Sequence, residues 1–327
     1  MRTEAPPSRG HRAVVPSARA VTSGPDVPSW VTDAVFYQIF PDRFANGDLG
    51  NDPAGTAPWG SSPTNDAMMG GDLIGVRERL AYLSRLGVNA LYFNPVFSSP
   101  SNHRYDITDY EHVDPRLGGN RALKDLVDDA HSRGMKVMLD GVFNHTSHQH
   151  PWFQDVREHG SASPYFSFYD VANWPIHYTR DDKGVLRSPD YRSWWNYATL
   201  PELRTDTAPV RDYFLTGKDS IVKRWIRDMG IDGWRMDVAD EVEPEFWRIA
   251  RREIKAAKPD AYMVAENWHD ASSMLAGDQF DGAMNYRYFQ QPAVSFFAHK
   301  SISADDFVQQ LASPYPICLL YTSPSPR

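Results

Sequence analysis

The sequence has one cysteine, no long apolar run and fewer basic than acidic residues, and each shortage excludes a class of protein. With Cys318 alone, the chain cannot form an internal disulfide framework or a thiolate metal site. No stretch approaches the roughly 18 apolar residues that a membrane-spanning helix needs. The formal net charge of −8, with no basic stripe, disfavours a phosphate backbone as a partner. We therefore expect a cytoplasmic protein that binds neither nucleic acid nor a membrane.

The aromatic content suggests a type of ligand, and the two ends of the chain differ from the rest in composition. Ten Trp residues in a chain with 13% aromatics indicate a site lined by flat apolar faces, such as sugar rings use. Residues 1–29 are rich in Pro, Ser, Ala and Arg, which predicts a disordered leader. Residues 313–327 lose all periodicity, and the part from Tyr315 onward contains two Ser-Pro steps, which predicts an aberrant tail after a truncated or frame-shifted gene end.

A unit made of an amphipathic helix, a Gly or Pro turn and a short apolar strand recurs from residue 34 onward. Alternating helices and strands imply a parallel sheet. We predict a C-terminally truncated (β/α)8 TIM barrel with about six strands. The alternative, an open doubly wound sheet, lacks a Gly-rich nucleotide loop after the first strand. The predicted strands span residues 35–40, 88–93, 135–139, 231–237, 261–266 and 279–284.

The alternation is interrupted after the third strand by an aromatic segment with no clear period. Residues 146–205 are too long and too aromatic for an ordinary βα loop. They predict a small inserted domain, domain B, over the barrel mouth. The predicted division is therefore a first barrel part over 30–145, domain B over 146–205 and a second barrel part over 206–312.

Two carboxylates stand at the predicted carboxyl ends of neighbouring strands, where barrel enzymes build their sites. Arg235 and Asp237 are two residues apart, so they project to the same face of a strand, and the cation would hold Asp237 ionised. A buried structural ion pair is the alternative. Glu266 ends the next strand. Adjacent strands lie about 4.8 Å apart, which suits the roughly 5–5.5 Å separation of a retaining glycosidase pair.

This spacing suggests a division of roles between the two acids. Asp237 would be the nucleophile, and Glu266, close to Trp268 and to apolar neighbours, would keep its proton and act as acid and then as base. The alternative for either acid is a helix cap. Asp140 could hold Arg235 from behind, and His145 could donate to a sugar hydroxyl.

Two further groups stand on predicted loops. His103 and Tyr105 follow the second strand, where Tyr105 could form a stacking platform. A loop dense in oxygen ligands could hold a hard cation such as calcium, or it could be a polar turn rich in Asx residues. Its candidate ligands are Asn46, Asp48, Asn51, Asp52, Gly70 and Asp72.

Four segments, in this order along the chain, resemble motifs of the α-amylase superfamily of glycoside hydrolases. Within it, Leu200–Leu203, Glu266–Trp268 and Met284–Tyr286 look most like the neopullulanase, cyclomaltodextrinase and maltogenic amylase branch. The resemblance covers roughly residues 30–312. The four segments are Phe36–Phe44, Asp140–His145, Gly233–Asp237 and Val264–Trp268.

The resemblance implies a (β/α)8 barrel with domain B that cleaves α-1,4 glucosidic bonds with retention. The substrates would be maltooligosaccharides, cyclomaltodextrins or pullulan, with α-1,6 bonds as a further candidate. It implies Asp237 as nucleophile and Glu266 as acid/base, and it implies a structural calcium ion in the Asn46–Asp52 loop with Gly70 and Asp72. The implied substrate-site residues are Arg235, His145, Tyr105, Asp140, His103 and Trp268.

The sequence departs from the family pattern in two ways. The third family acid, an Asp preceded by His after a seventh strand, has no counterpart. A barrel without its last two strands also leaves two open sheet edges, so we expect a fragment that is insoluble or inactive as written. The N-terminal β-sandwich that the branch uses for dimer formation is also missing, which leaves the oligomeric state open. A non-catalytic carbohydrate-binding or scaffold protein on the same fold is the competing hypothesis.

Overall fold

The computed structural model of the chain describes residues 27–311. The predicted aberrant tail and residues 1–26 of the predicted leader lie outside this range. Val27, close to the end of that leader, packs against a buried cluster. Within the described range, no helix is both long and apolar enough to cross a membrane.

The central element is a six-stranded parallel sheet whose spatial order equals the chain order. This order is that of a (β/α)8 barrel, because a doubly wound sheet reverses its strand order at a switch point. Six predicted strands are confirmed, although the last is only two residues long and not six. The strands are β1 (Phe36–Ile39), β2 (Ala90–Phe93), β3 (Lys136–Gly141), β4 (Gly233–Met236), β5 (Tyr262–Ala265) and β6 (Gly282–Ala283).

The predicted helices lie between these strands. Gly87, Gly134 and Gly230 follow three of them with φ between 73° and 87°. Glycine takes this left-handed conformation without a steric penalty, so the chain can leave the helix and enter the next strand. The four helices are α1 (Leu73–Arg85), α2 (Gly119–Ser132), α3 (Ile221–Arg224, continued by a π-helix over Trp225–Met229) and α4 (Pro244–Ala257). Shorter helices span Pro41–Phe44, Pro151–His159, Ala208–Arg211, Asp212–Thr216, Tyr286–Gln290, Gln291–Ala293, Val294–Ala298 and Ala304–Leu311.

Both faces of the sheet are buried, which explains why its strands are nearly continuous apolar runs. Successive side chains alternate between the faces. Along β4, Trp234 and Met236 join the large cluster under the helices, while Arg235 lies on the opposite face. A smaller second cluster includes Met138, Tyr262 and Val264.

The segment that follows β3 forms the predicted insertion. It contains the helix Pro151–His159 and a short antiparallel pair, Thr179–Arg180 with Leu186–Arg187. A bridge between His145 and Glu202 ties its end to the residues that follow β3. Phe153 packs edge-on against Tyr169 and Tyr191, and all three rings belong to the same buried cluster as the barrel helices, so the insertion packs continuously on the barrel.

A buried carboxylate stabilises the amino-terminal edge of the sheet. Asp232, directly before β4, accepts the backbone N–H of Val137 at 3.0 Å and pairs with Lys258 at 2.7 Å, His131 at 2.6 Å and Lys136 at 3.1 Å. Burial alone would raise the pKa of Asp232, but the bonds from His131, Lys258 and Val137 outweigh it and hold that pKa well below its usual range.

Asp281 repeats the arrangement before β6. Its carboxylate accepts the N–H of Met263 at 2.9 Å and pairs with Arg251 and Lys255 at 2.6 and 2.8 Å. At both positions an acid fastens one strand to its neighbour and to the helical layer. This edge therefore serves stability.

We predict that Asp232→Asn lowers the free energy of unfolding by about 2–3 kcal/mol, because it removes the negative charge that the lysines pair with and replaces one accepting oxygen by an NH₂ group that faces other donors. Urea unfolding at pH 7 measures this loss. Since the folded-state pKa is lowered, the contribution is present above the ordinary Asp pKa of about 3.9 and is lost as the pH falls below it. The two proteins should therefore converge in acid.

The control is Asp128→Asn, which breaks a surface pair with Lys124 whose two side chains are 58% and 42% exposed. A change within about 0.5 kcal/mol is expected there. Equal losses in both variants would contradict the role given to Asp232.

Candidate active site

Asp237 and Glu266 stand side by side at the carboxyl ends of β4 and β5. Met236 and Ala265 are register partners, so the acid that follows each of them lies on adjacent strands. Both acids contact one guanidinium, with Arg235 Nη1 at 2.6 Å from Asp237 Oδ1 and Nη2 at 2.8 Å from Glu266 Oε1. Two hydrogen bonds and one guanidinium span no more than about 8 Å, which limits the separation of those oxygens.

A third carboxylate shares the same cation. Asp140, at the end of β3, accepts from Arg235 Nη1 at 2.8 Å, which confirms the prediction that it holds Arg235 from behind. Asp140, Arg235 and Asp237 are 1%, 3% and 5% exposed, so solvent does little to screen their charges. Three ionised acids around one guanidinium would leave two uncompensated negative charges, which a buried site resists.

The prediction that Arg235 gives Asp237 a low pKa is wrong. Burial raises the pKa of Asp237 well above its usual range, Arg235 opposes that rise, and the charges of Glu266 and Asp140 add to it. The pKa of Asp140 is also raised, mainly by burial. Sequence spacing revealed the cation and both neighbouring acids, but not the burial that raises the pKa of Asp237 against the effect of Arg235. The site therefore takes up protons more readily than ordinary carboxylates do.

The chain turns sharply after Asp237. Val238 has φ = 49°, a left-handed conformation that strains a β-branched residue. This turn aims the N–H of Val238 at Glu266 Oε2, 3.0 Å away. The strained turn thus fixes the relative positions of the two acids.

Two tyrosines surround the ion cluster. Tyr92 and Tyr105 donate their hydroxyls to Asp140 Oδ2 at 2.7 and 3.1 Å, and their rings lie 5.8 and 6.0 Å from the guanidinium carbon of Arg235. His103 stacks on Tyr105 at 5.9 Å between centroids. Tyr92 was missed in the sequence because it reads there as one more apolar strand residue.

His145 is buried and uncharged. Burial lowers the pKa of His145 to about 4, so the ring is neutral at neutral pH. Its Nε2 lies 3.1 Å from the carbonyl oxygen of Tyr105, and its Nδ1 lies 3.2 Å from Asn144 Nδ2. Both ring nitrogens thus have protein partners. To donate a hydrogen bond to a ligand, His145 must first give up one of these two contacts.

The acids lie in the wall of a cavity of about 730 Å³. The predicted residues Tyr105, His103, His145 and Trp268 line the same cavity. Trp268 is 48% exposed and stacks face to face on Tyr286 at 3.8 Å between centroids. Further lining residues, to which the sequence assigned no role, are Asp106, Trp194, Trp195, Tyr197, Thr199, Leu200, Val238, Asp240, Glu241 and His269.

The predicted oxygen-ligand loop comes together away from this cavity. Asn46 Nδ2 donates to Asp52 Oδ1 at 2.9 Å, and a Cβ added to Gly70 would lie 2.4 Å from the same oxygen. Asp72 caps α1 by accepting the N–H of Gly75 at 2.6 Å, and three more N–H groups of the loop donate to its two oxygens. Asp48 is exposed and accepts from Gly50.

Two buried oxygens in this loop lack partners. Asn46 Oδ1 and Asn51 Oδ1 accept no hydrogen bond from any described residue. Buried amide oxygens are normally satisfied, and calcium prefers such oxygens as ligands. Within residues 27–311, no cluster of three or more His, Cys, Asp or Glu side chains has the arrangement of a metal site. Amide and backbone oxygens would therefore have to supply part of any ligand set.

Comparison with known proteins places this geometry in a family. The model described as "Alpha amylase, catalytic domain" matches residues 38–315. A cyclomaltodextrinase from Bacillus sp is 47% identical over 281 residues, which are 86% of this chain and 48% of the relative. An intracellular maltogenic amylase from Bacillus subtilis (strain 168) is 42% identical over 278 residues, 85% of this chain and 45% of the relative.

A solved structure agrees with these relatives. Cyclic alpha-maltosyl-(1→6)-maltose hydrolase from Arthrobacter globiformis superimposes with a TM-score of 0.80 at 38% identity, covering 87% of this chain and 62% of that one. The chain thus spans about half the length of the curated relatives it matches.

We predict that Asp237→Asn raises the melting temperature at pH 7 by about 3 °C or more, because it removes one charge from the crowded cluster. The folded protein binds a proton at Asp237 more tightly than the unfolded chain does. Ionised Asp237 therefore destabilises the fold fully at pH values above its raised pKa. The gain in melting temperature from Asp237→Asn should shrink as the pH falls through that pKa. Differential scanning calorimetry between pH 4 and 8 measures the trend.

Asp206→Asn is the control, because it affects only an exposed surface pair with Arg204. It should change the melting temperature by less than about 1 °C. A lower melting temperature for Asp237→Asn at pH 7 would contradict the raised pKa.

Proposed function

Because the chain belongs to the α-amylase family of glycoside hydrolases, we propose that it carries the nucleophile and the acid/base of a retaining α-glucan hydrolase. The substrates would be maltooligosaccharides, cyclomaltodextrins or pullulan, cleaved at α-1,4 bonds, with α-1,6 bonds as a second candidate. The names of the relatives, a cyclomaltodextrinase and a maltogenic amylase, support this substrate class.

The observation that carries the proposal is the shared guanidinium. Asp237 and Glu266 both contact Arg235 and both line the cavity. A limit of about 8 Å between the contacting oxygens accommodates the roughly 5–5.5 Å of a retaining pair. A carbohydrate-binding or scaffold protein on the same fold has no need for a strained turn that fixes two buried acids, so we favour the enzyme.

Retention follows from two displacements at the anomeric carbon. Glu266 donates its proton to the glycosidic oxygen while Asp237 attacks the anomeric carbon, which releases the leaving sugar and forms a glycosyl ester on Asp237. Glu266, now ionised, takes a proton from a water molecule, whose oxygen displaces Asp237. Arg235 stabilises the ionised form of Asp237 in both steps, and Tyr105 offers its ring to the sugar that is attacked.

We also propose a structural calcium ion in the Asn46–Asp52 loop. The unpaired oxygens of Asn46 and Asn51 support it, and Asp48, Asp52 and the carbonyl of Gly70 would be further ligands. Asp72 was also a predicted ligand, but its two oxygens already accept four N–H groups, so we assign it the role of orienting the loop. The ion would supply rigidity and not chemistry.

We also propose a cytoplasmic location. One relative is named an intracellular maltogenic amylase, and the charge of −8 suits a glucan substrate rather than an anionic surface.

We predict that, in the protein that carries this sequence, Asp237→Asn lowers kcat on cyclomaltodextrin at least about 1,000-fold while the fold is retained, because the neutral amide cannot form the glycosyl ester. Reducing-sugar release measures turnover, and circular dichroism checks the fold. Turnover within tenfold of the unchanged protein would contradict the assignment of the nucleophile.

Glu266→Gln separates the two roles. It should slow hydrolysis of an alkyl maltoside more than that of a nitrophenyl maltoside, because nitrophenolate leaves without help from an acid. Equal losses on both substrates would count against Glu266 as the acid. The surface variant Asp206→Asn serves as the control for both measurements.

Removal of calcium gives an independent test of the loop. We predict that EGTA lowers the melting temperature by about 5–10 °C and that Asn46→Ala removes most of this sensitivity, because binding to the folded state alone stabilises it. Asn65 is an exposed residue between Asp52 and Gly70 and is not among the proposed ligands. Asn65→Ala should therefore leave the sensitivity to EGTA unchanged. A melting temperature that does not depend on EGTA would rule out the ion.

A further inference from the structure

An aromatic stack borders the cavity on the side of the insertion, and the mechanism above gives it no role. We call Trp194, Trp195 and Tyr197 the aromatic shelf, and all three line the cavity. The ring centroids of Trp194 and Trp195 are 5.0 Å apart at 18°, and those of Trp194 and Tyr197 are 6.2 Å apart at 27°. Trp194 also lies parallel to His145, at 5.8 Å and 29°. The shelf therefore leads outward from the reaction centre.

Trp195, the outer ring, is held in an unfavourable state. It is 68% exposed, with φ = 48° and ψ = 33°, and Asn196 follows with φ = 60°. A left-handed Trp is strained, whereas Asn tolerates this conformation, and an exposed Trp forgoes burial of its large apolar surface. Such strain persists only where the surroundings impose it, and it concentrates at functional sites.

Hydrogen bonds from the barrel and from the insertion hold Trp195 in this conformation. The indole N–H of Trp195 donates to Glu241 Oε1 at 3.1 Å, and Glu241 lies four residues after Asp237 on the loop that follows β4. From the insertion, Arg187 donates to the carbonyls of Asn196 and Trp195 at 2.9 and 3.3 Å. The Arg187 guanidinium also lies 4.8 Å above the ring of Tyr197. The shelf is thus fixed to the barrel loop that carries the nucleophile.

We propose that the aromatic shelf binds a glucose unit remote from the cleaved bond and so makes the site selective for longer α-glucan chains. The proposal rests on the function proposed above. A pyranose ring presents a flat face of C–H groups that stacks on an aromatic plane. Because Trp194 separates Trp195 from His145, the outer ring meets a different sugar from the one between Asp237 and Glu266. Glu241 holds the indole in place and is a positioning residue.

The test compares two substrates with the same bond and different lengths, maltotriose and maltoheptaose, in the protein that carries this sequence. We expect Trp195→Ala to lower the ratio of kcat/KM for maltoheptaose to kcat/KM for maltotriose about tenfold, mainly through KM. Trp195→Phe, which keeps a flat ring but loses the N–H, should lower the ratio less.

Matched variants separate the effect of the aromatic shelf on the ratio from a general loss of folding or activity. Trp59→Ala removes a Trp that is 50% exposed and does not line the cavity, and it should leave the ratio unchanged. Glu241→Gln keeps an oxygen that can accept from the indole, whereas Glu241→Ala does not, so the alanine variant should lower the ratio further. Trp195→Gly relieves the left-handed strain, so its melting temperature should not fall below that of the unchanged protein.

Each outcome decides the proposal. An unchanged ratio in Trp195→Ala, or an equal loss of kcat on both substrates, would overturn it. If the unchanged protein hydrolyses neither substrate, the proposed function fails, and calorimetric binding of maltoheptaose then tests the shelf alone. About tenfold weaker binding by Trp195→Ala, but not by Trp59→Ala, supports the shelf. Equal affinity, or no binding by the unchanged protein, overturns it.

Discussion

One guanidinium organises the carboxyl end of the sheet. Arg235 is buried, and its two terminal nitrogens contact Asp140, Asp237 and Glu266, which come from three successive strands. The parallel register places Asp140 and Arg235 opposite each other, and it places the acids that follow β4 and β5 side by side. The cation thus lowers the repulsion among acids that the sheet forces together, although it cannot neutralise them all.

The two ends of β4 show how one residue type serves two purposes. Asp232 precedes the strand and pairs with Lys136, Lys258 and His131, and its pKa is lowered. Asp237 follows the strand, five residues later, and its pKa is raised because burial and two acids outweigh one cation. The amino-terminal edge is therefore electrostatically satisfied and stabilises the fold. At the carboxyl edge the repulsion among the acids is not fully compensated, and this edge is where barrel enzymes build their sites.

The insertion completes the site from above. Its rings Phe153, Tyr169 and Tyr191 share one buried cluster with the barrel, and the bridge between His145 and Glu202 ties it to the residues that follow β3. It supplies the aromatic shelf, which Glu241 on the loop after β4 holds in place. The cavity thus combines acids from the sheet with flat apolar surfaces from the insertion, a combination that fits the proposed glucan substrate.

The sequence by itself determined the features that depend on local pattern. Helix and strand periods gave the six strands and their order, and the two-residue spacing of Arg235 and Asp237 placed both on one face. Only the tertiary structure decided how many acids share Arg235, the direction of the pKa of Asp237, and the contact between Trp195 and Glu241. Those properties depend on burial and on residues distant in sequence, because charge energies are set by everything within a few ångströms and not by neighbours along the chain.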